Sequence, residues 1–84
     1  MVWHHIVLQT KGNVLRFGSH QIHNSGNVVR LNLQQHYEIH RFYERTNPAV
    51  AGSQTLRVRE WVGQQSFANQ QAFGNAILKA VAGF

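Results

Sequence analysis

The chain has 84 residues, a formal net charge of +5, no cysteine and no aspartate, and its only acids are Glu38, Glu44 and Glu60 against six histidines. A chain of this length makes one domain with a small core, a size class that often uses a bound metal as reinforcement. The composition excludes disulfides and thiolate metal sites and the clustered carboxylates of two-metal nucleases and glycosidases, and its basic balance suits a polyanion or an acidic protein partner.

In chain order, residues 2–9 are apolar and β-branched enough for a strand. Residues 11–26 are polar, with glycines at 12, 18 and 26, and read as a long loop with a short helical turn near residues 15–17. Residues 28–31 make a second short strand. Asn32 is placed to cap a helix over 33–45, ended by Asn47-Pro48. On that helix Leu33, Tyr37, His40 and Glu44 share one face, and His36, His40 and Tyr43 another. Residues 49–54 read as a small-residue linker and 55–64 as a short helix carrying Leu56, Val58, Trp61 and Val62. Ser66 is the expected N-cap of a last helix to about residue 81. Trp3, Trp61, Phe67, Phe73 and Ile77 are expected in the core.

The predicted fold class is α+β: a single domain over 1–84, with a ββα unit at about 2–47 and a helical cover at about 55–82. No apolar run approaches the ~20 residues needed to span a bilayer, and residues 1–8 lack the charged and long apolar regions of a secretion signal. Met1 stands two residues before Trp3-His4-His5. That placement reads as a domain start, with more chain expected upstream and any export expected as part of a larger protein.

The chemistry concentrates in three places: His4-His5, Asn27, and His36-x-x-x-His40. Adjacent strand residues point to opposite faces, so His4 and His5 can divide two jobs, one imidazole on a metal and its neighbour toward substrate. Two histidines four apart on a helix lie one turn apart and can converge on one point. Three imidazoles that leave positions open for water and substrate suit a catalytic metal better than a closed structural one. Arg16, Arg30, Arg41 and Arg45 are candidate phosphate contacts, because a planar guanidinium can clamp two oxygens.

The stretch from Asn27 through His36 to His40 resembles the ββα-metal motif of HNH (His-Me finger) nucleases in its spacing. It is most similar to the DNase colicin version, which also has the His-His pair and the His-x-x-x-His helix. The flanking residues resemble the WHH group of HNH toxin domains: Trp3-His4-His5-Ile6-Val7, Arg16-Phe17-Gly18, Ile22-His23-Asn24 and Val58-Arg59-Glu60-Trp61. The resemblance covers nearly the whole chain. It implies that His4, His36 and His40 are metal ligands, that His5 is the general base, and that Asn27 pins the loop that orients His5. His23 and Asn24 are secondary site residues, at the substrate edge or structural. It further implies one divalent metal ion (Zn, Ni, Mn or Mg), DNA as substrate, little sequence preference, a larger carrier protein upstream, and an acidic immunity protein as partner. The expected setting is a toxin domain delivered into the cytoplasm of a rival bacterium. An RNase or nicking enzyme of the same fold, or a zinc-stabilised binding module with a closed four-ligand site, are the alternative expectations.

Overall fold

A computed structural model describes all 84 residues. It is a small α+β domain whose sheet has only two strands. Strand β1 (Val2–His5) pairs antiparallel with β2 (Val28–Leu31), and the register sets Trp3 opposite Arg30 and His4 opposite Val29. Alternation along the strands puts His4, Val29 and Leu31 on the inner face, toward helix α3 (Leu33–Glu44). Trp3 falls on the outer face and is 63% exposed. It therefore leaves the expected core: no second layer covers that side of the sheet, and the indole packs against the Arg30 guanidinium 5.5 Å from its ring centre.

The first strand is shorter than the apolar run implies. The ladder stops at His5 because Asn27 takes over the backbone that follows. The Ile6 N–H donates to the Asn27 carbonyl at 2.8 Å, and the Val7 N–H donates to the Asn27 side-chain Oδ1 at 2.8 Å.

The expected long loop is mostly helical. It holds α1 (Lys11–Phe17), α2 (Ser19–Ile22) and a 3-10 turn at Ser25–Asn27. Local caps build these short pieces. The Thr10 hydroxyl accepts the Asn13 N–H, and Gly18, at φ +84°, ends α1 and begins α2. Buried anchors then hold them: the Asn13 amide donates to the Leu8 carbonyl and forms a reciprocal amide pair with Gln70. None of these partners is a hydrophobic repeat, so periodicity does not reveal the helices.

Asn32 caps α3 as expected, accepting the Gln35 N–H while the Gln35 side chain accepts the Asn32 N–H. The helix buries Ile39 and Tyr43 and leaves Leu33 and Tyr37 exposed. The expected linker contains a short helix, α4 (Pro48–Ala51), with Pro48 at its first turn. Helix α5 (Val58–Val62) is shorter than the 55–64 expectation, while α6 (Phe67–Ala82) starts after Ser66, whose hydroxyl accepts the Asn69 N–H. Leu31, Ile39, Tyr43, Val58, Val62, Ile77 and Leu78 form the core. Trp61 and Phe73 pack half-buried against it, and Phe67 instead meets Phe17 edge to face.

Helix α6 approaches the exit of β1 closely at Gly74. A Cβ there would lie 2.5 Å from the Ile6 carbonyl oxygen. Gly74→Ala must push away the backbone that follows His5, and is expected to cost about 1–3 kcal/mol, the usual range for overpacking. Urea unfolding measures this, and a wild-type midpoint in the variant would show that the helix can slide away freely.

Candidate metal centre

Three imidazoles converge on one point. His4 comes from the inner face of β1, and His36 and His40 from successive turns of α3. One ring nitrogen from each lies within 4.8 Å of the others. His36 and His40 present their Nε2 atoms to each other at 2.9 Å, and the ring of His4 stands edge-on to both, 5.7 Å and 6.0 Å away between centres. Zinc–nitrogen bonds of about 2.1 Å in a tetrahedral shell set ligand nitrogens roughly 3.4 Å apart. The helix pair is already within that spacing, and His4 needs only a small inward shift. The donor set therefore fits a divalent transition ion, with positions left open beyond the three nitrogens.

Burial prepares His4 and His40 for a metal by favouring their neutral forms. His4 is 2% exposed. Burial first, then the charges of His40, His36 and His5, lower its pKa from 6.5 to about 4. His40 is lowered by burial and by His36, with Glu44 opposing and Arg59 adding to the shift. Neutral imidazole is the ligating form, so few protons compete for the site near neutral pH.

His5 points away from His4 and meets another imidazole. Its Nε2 lies 3.1 Å from Nδ1 of His23, with the rings edge to face. Burial and then His23 lower the His5 pKa. One proton serves this bond, and if His5 donates it from Nε2 its Nδ1 is left as a free acceptor. His23 thus sits with His5 and outside the three-histidine cluster, so the cluster has no fourth imidazole.

Asn27 is buried and positions both halves of that pair. Its Oδ1 accepts the Val7 N–H at 2.8 Å, and its Nδ2 donates to the Val7 carbonyl at 3.0 Å and the Ile22 carbonyl at 2.8 Å. Val7 follows His5 by two residues and Ile22 precedes His23. Asn24 has a local role: its side chain accepts the Gly26 N–H at 2.8 Å and caps the 3-10 turn that ends at Asn27.

A cavity of about 130 Å³ opens over the cluster, and its lining includes Trp3, His4, His5, His36 and His40 together with Tyr43, Glu44 and Arg59. None of the four arginines singled out from the sequence lines it. Arg16 donates to the Gly63 carbonyl, Arg30 stacks on Trp3 outside the sheet, and Arg41 and Arg45 line a separate depression beside Glu38 and Asn47. The arginine that reaches the cavity is Arg59. Thr46 and Arg57 form an isolated antiparallel bridge, and the Val58 N–H donates to the Arg45 carbonyl. That return of the chain lets Arg57 and Arg59 grip Glu44 at 2.7 Å and 2.6 Å. The Arg59 guanidinium beside Glu44, with Arg57 adding to it, holds that carboxyl below its ordinary pKa. The motif Val58-Arg59-Glu60-Trp61 was the available signal for Arg59, but nothing in its local sequence indicates which side chain turns inward.

Comparison with family models, curated proteins and solved structures finds no match to this chain.

Protonation of His4 opposes folding of the metal-free protein. Its folded pKa lies below the unfolded value of 6.5, so the unfolded chain takes up the proton first. The stabilisation is complete above about pH 6.5 and is lost as pH falls toward the folded pKa. His5 and His40 act in the same direction. Urea unfolding from neutral pH to about pH 4 should show a loss of up to about 3 kcal/mol from His4. The slope should flatten in His4→Gln, and an unchanged slope in that variant would remove His4 as its source.

Proposed function

We propose that this chain is a metal-dependent endonuclease domain of the HNH (His-Me finger) kind, with β1, β2 and α3 as its ββα-metal core, hydrolysing DNA phosphodiester bonds with little sequence preference. The observation that carries this reading is the division of labour between neighbours. His4 turns inward to His36 and His40, while His5 turns to His23 and lines the same cavity, on a backbone fastened by Asn27.

In this reading His4, His36 and His40 hold one divalent cation of the Zn, Ni, Mn or Mg group. When bound, it supplies charge stabilisation at the phosphate and at the departing 3′-oxygen. His5 removes a proton from the attacking water at its free ring nitrogen. A neutral imidazole is available for this at neutral pH, the more so with its pKa lowered. In this reading His5 donates its Nε2 proton to Nδ1 of His23, which leaves Nδ1 of His5 as the base. Asn27 positions His5 and His23 together and touches neither the water nor the phosphate.

A closed four-ligand zinc module is less favoured, because only three imidazoles converge and His23, a residue that could have supplied a fourth, contacts His5 instead. The net charge of +5 agrees with a backbone-binding, sequence-tolerant enzyme. It also agrees with an acidic inhibitor that docks by electrostatic attraction. We extend the reading to a toxin domain carried by a larger effector, acting in the cytoplasm of a target bacterium and restrained in the producer by a cognate immunity protein. No helix is long and apolar enough to cross a membrane.

Supercoiled plasmid incubated with the protein in EDTA, magnesium, manganese, nickel or zinc tests the proposal. Cleavage is expected only with metal, and His5→Ala should lower its rate by about 10²–10⁴-fold, as expected for a lost general base, while zinc binding persists. His4→Ala should lose both zinc and activity. If zinc binds through the three histidines and neither DNA nor a structured RNA is cut, the enzyme reading fails. Cleavage of RNA alone would keep the chemistry and change the substrate.

A further inference from the structure

We propose that Arg59 and Tyr43 form the subsite that grips the non-bridging oxygens of the substrate phosphate, in the cavity that the three imidazoles also line. The assignment rests on the nuclease reading above and adds two residues to it, one from a helix that looked like mere core cover.

Tyr43 follows His40 by three residues on α3 and lines the cavity over the histidine cluster. The residue is 1% exposed, and its hydroxyl is the one buried side-chain polar atom in the structure with no hydrogen-bond partner. A buried hydroxyl without a partner is costly, and in a residue that lines this cavity it points to a missing acceptor. Burial also raises the phenol pKa, so the group is a hydrogen-bond donor across the working range of pH.

Arg59 supplies the charge. One guanidinium nitrogen donates to Glu44 at 2.6 Å, and its other N–H groups have no partner within the protein. Glu44 is divided between two guanidiniums, Arg57 and Arg59, and Arg57 is also paired with Glu60 at 3.0 Å. Glu44 therefore holds Arg59 in place without consuming its donors. The two arginines and two glutamates balance, so a divalent ion on the histidines makes the cavity as a whole positive. A guanidinium fork and a phenol, lining the same cavity of about 130 Å³ as the three imidazoles, match a tetrahedral oxyanion with several acceptor oxygens.

Inorganic phosphate is the probe. Its binding to the zinc-loaded protein is followed by calorimetry and ³¹P line broadening, with acetate as the carboxylate control and zinc affinity measured in parallel. Phosphate is expected to bind at least several-fold more tightly than acetate. Arg59→Gln should weaken phosphate by about tenfold or more, and Tyr43→Phe by about threefold or more, on the scale of lost charged and neutral hydrogen bonds. Zinc affinity should stay within about twofold. Tyr43→Phe keeps the ring in the core, and Arg59→Lys keeps the Glu44 pair while removing the fork, so it should bind phosphate between wild type and Arg59→Gln even if the glutamine variant folds poorly. The proposal is overturned if the zinc-loaded wild type binds no phosphate, if acetate binds equally well, if Tyr43→Phe and Arg59→Lys both bind phosphate as wild type does, or if phosphate and zinc affinity fall together. DNA cleavage separates the two readings. Phosphate binding that depends on both residues without any cleavage removes the nuclease and keeps the subsite. Cleavage with wild-type kcat, KM and phosphate affinity in both Arg59→Lys and Tyr43→Phe removes the subsite alone.

Discussion

The buried amide of Asn27 is the constraint on which the arrangement depends. Three hydrogen bonds from one side chain, to both backbone groups of Val7 and to the Ile22 carbonyl, join the exit of β1 to the end of α2. With the Asn27 carbonyl also accepting the Ile6 N–H, that junction stops the β ladder at His5. It thereby leaves His5 as the last residue of the strand, at its exit. The same bonds bring His23 within 3.1 Å of His5. No hydrophobic contact could do this, because apolar packing is non-directional whereas an amide fully used by backbone partners fixes position and orientation together.

A second theme is how few groups carry the electrostatics. The chain has three acids, and two of them, Glu44 and Glu60, are engaged by Arg57 and Arg59. The histidine cluster therefore lies in a region without spare negative charge, and desolvation and neighbouring imidazoles lower the pKa of His4 and His40. Neutrality leaves them ready for a cation and leaves them reluctant to accept protons, so the same desolvation that weakens the metal-free fold in acid prepares the site. These exposed ion pairs are worth little as stability. Their consequence is positional, since they hold Arg59 at the cavity.

The sequence was informative wherever a local rule applied. Asn32 and Ser66 are caps recognised by their spacing, and both helices start where those residues place them. The four-residue interval between His36 and His40 already implied neighbouring rings on a helix, and the alternation of a strand already separated His4 from His5. The α+β class and the order of the two strands and α3 were legible for the same reason. The short helices between residues 11 and 22 were not, because their anchors are a threonine cap, a positive-φ glycine and a long-range amide pair. Trp3 was misplaced because hydrophobicity does not say whether a second layer covers a two-stranded sheet.

The sequence by itself determined the donor inventory: imidazoles without thiolates or clustered carboxylates, and arginines in excess of acids. It also determined which residues share a helix turn or alternate on a strand, since those relations follow from 3.6-residue and 2-residue periods. Only the tertiary structure decided that His23 joins His5, not the other three histidines, that Tyr43 leaves an unpartnered hydroxyl beside them, and that Arg59 reaches their cavity while Arg16, Arg30, Arg41 and Arg45 do not. Those outcomes depend on where α2 and α5 return against β1 and α3. Buried amides and a two-residue bridge set that return, and their partners are far apart along the chain.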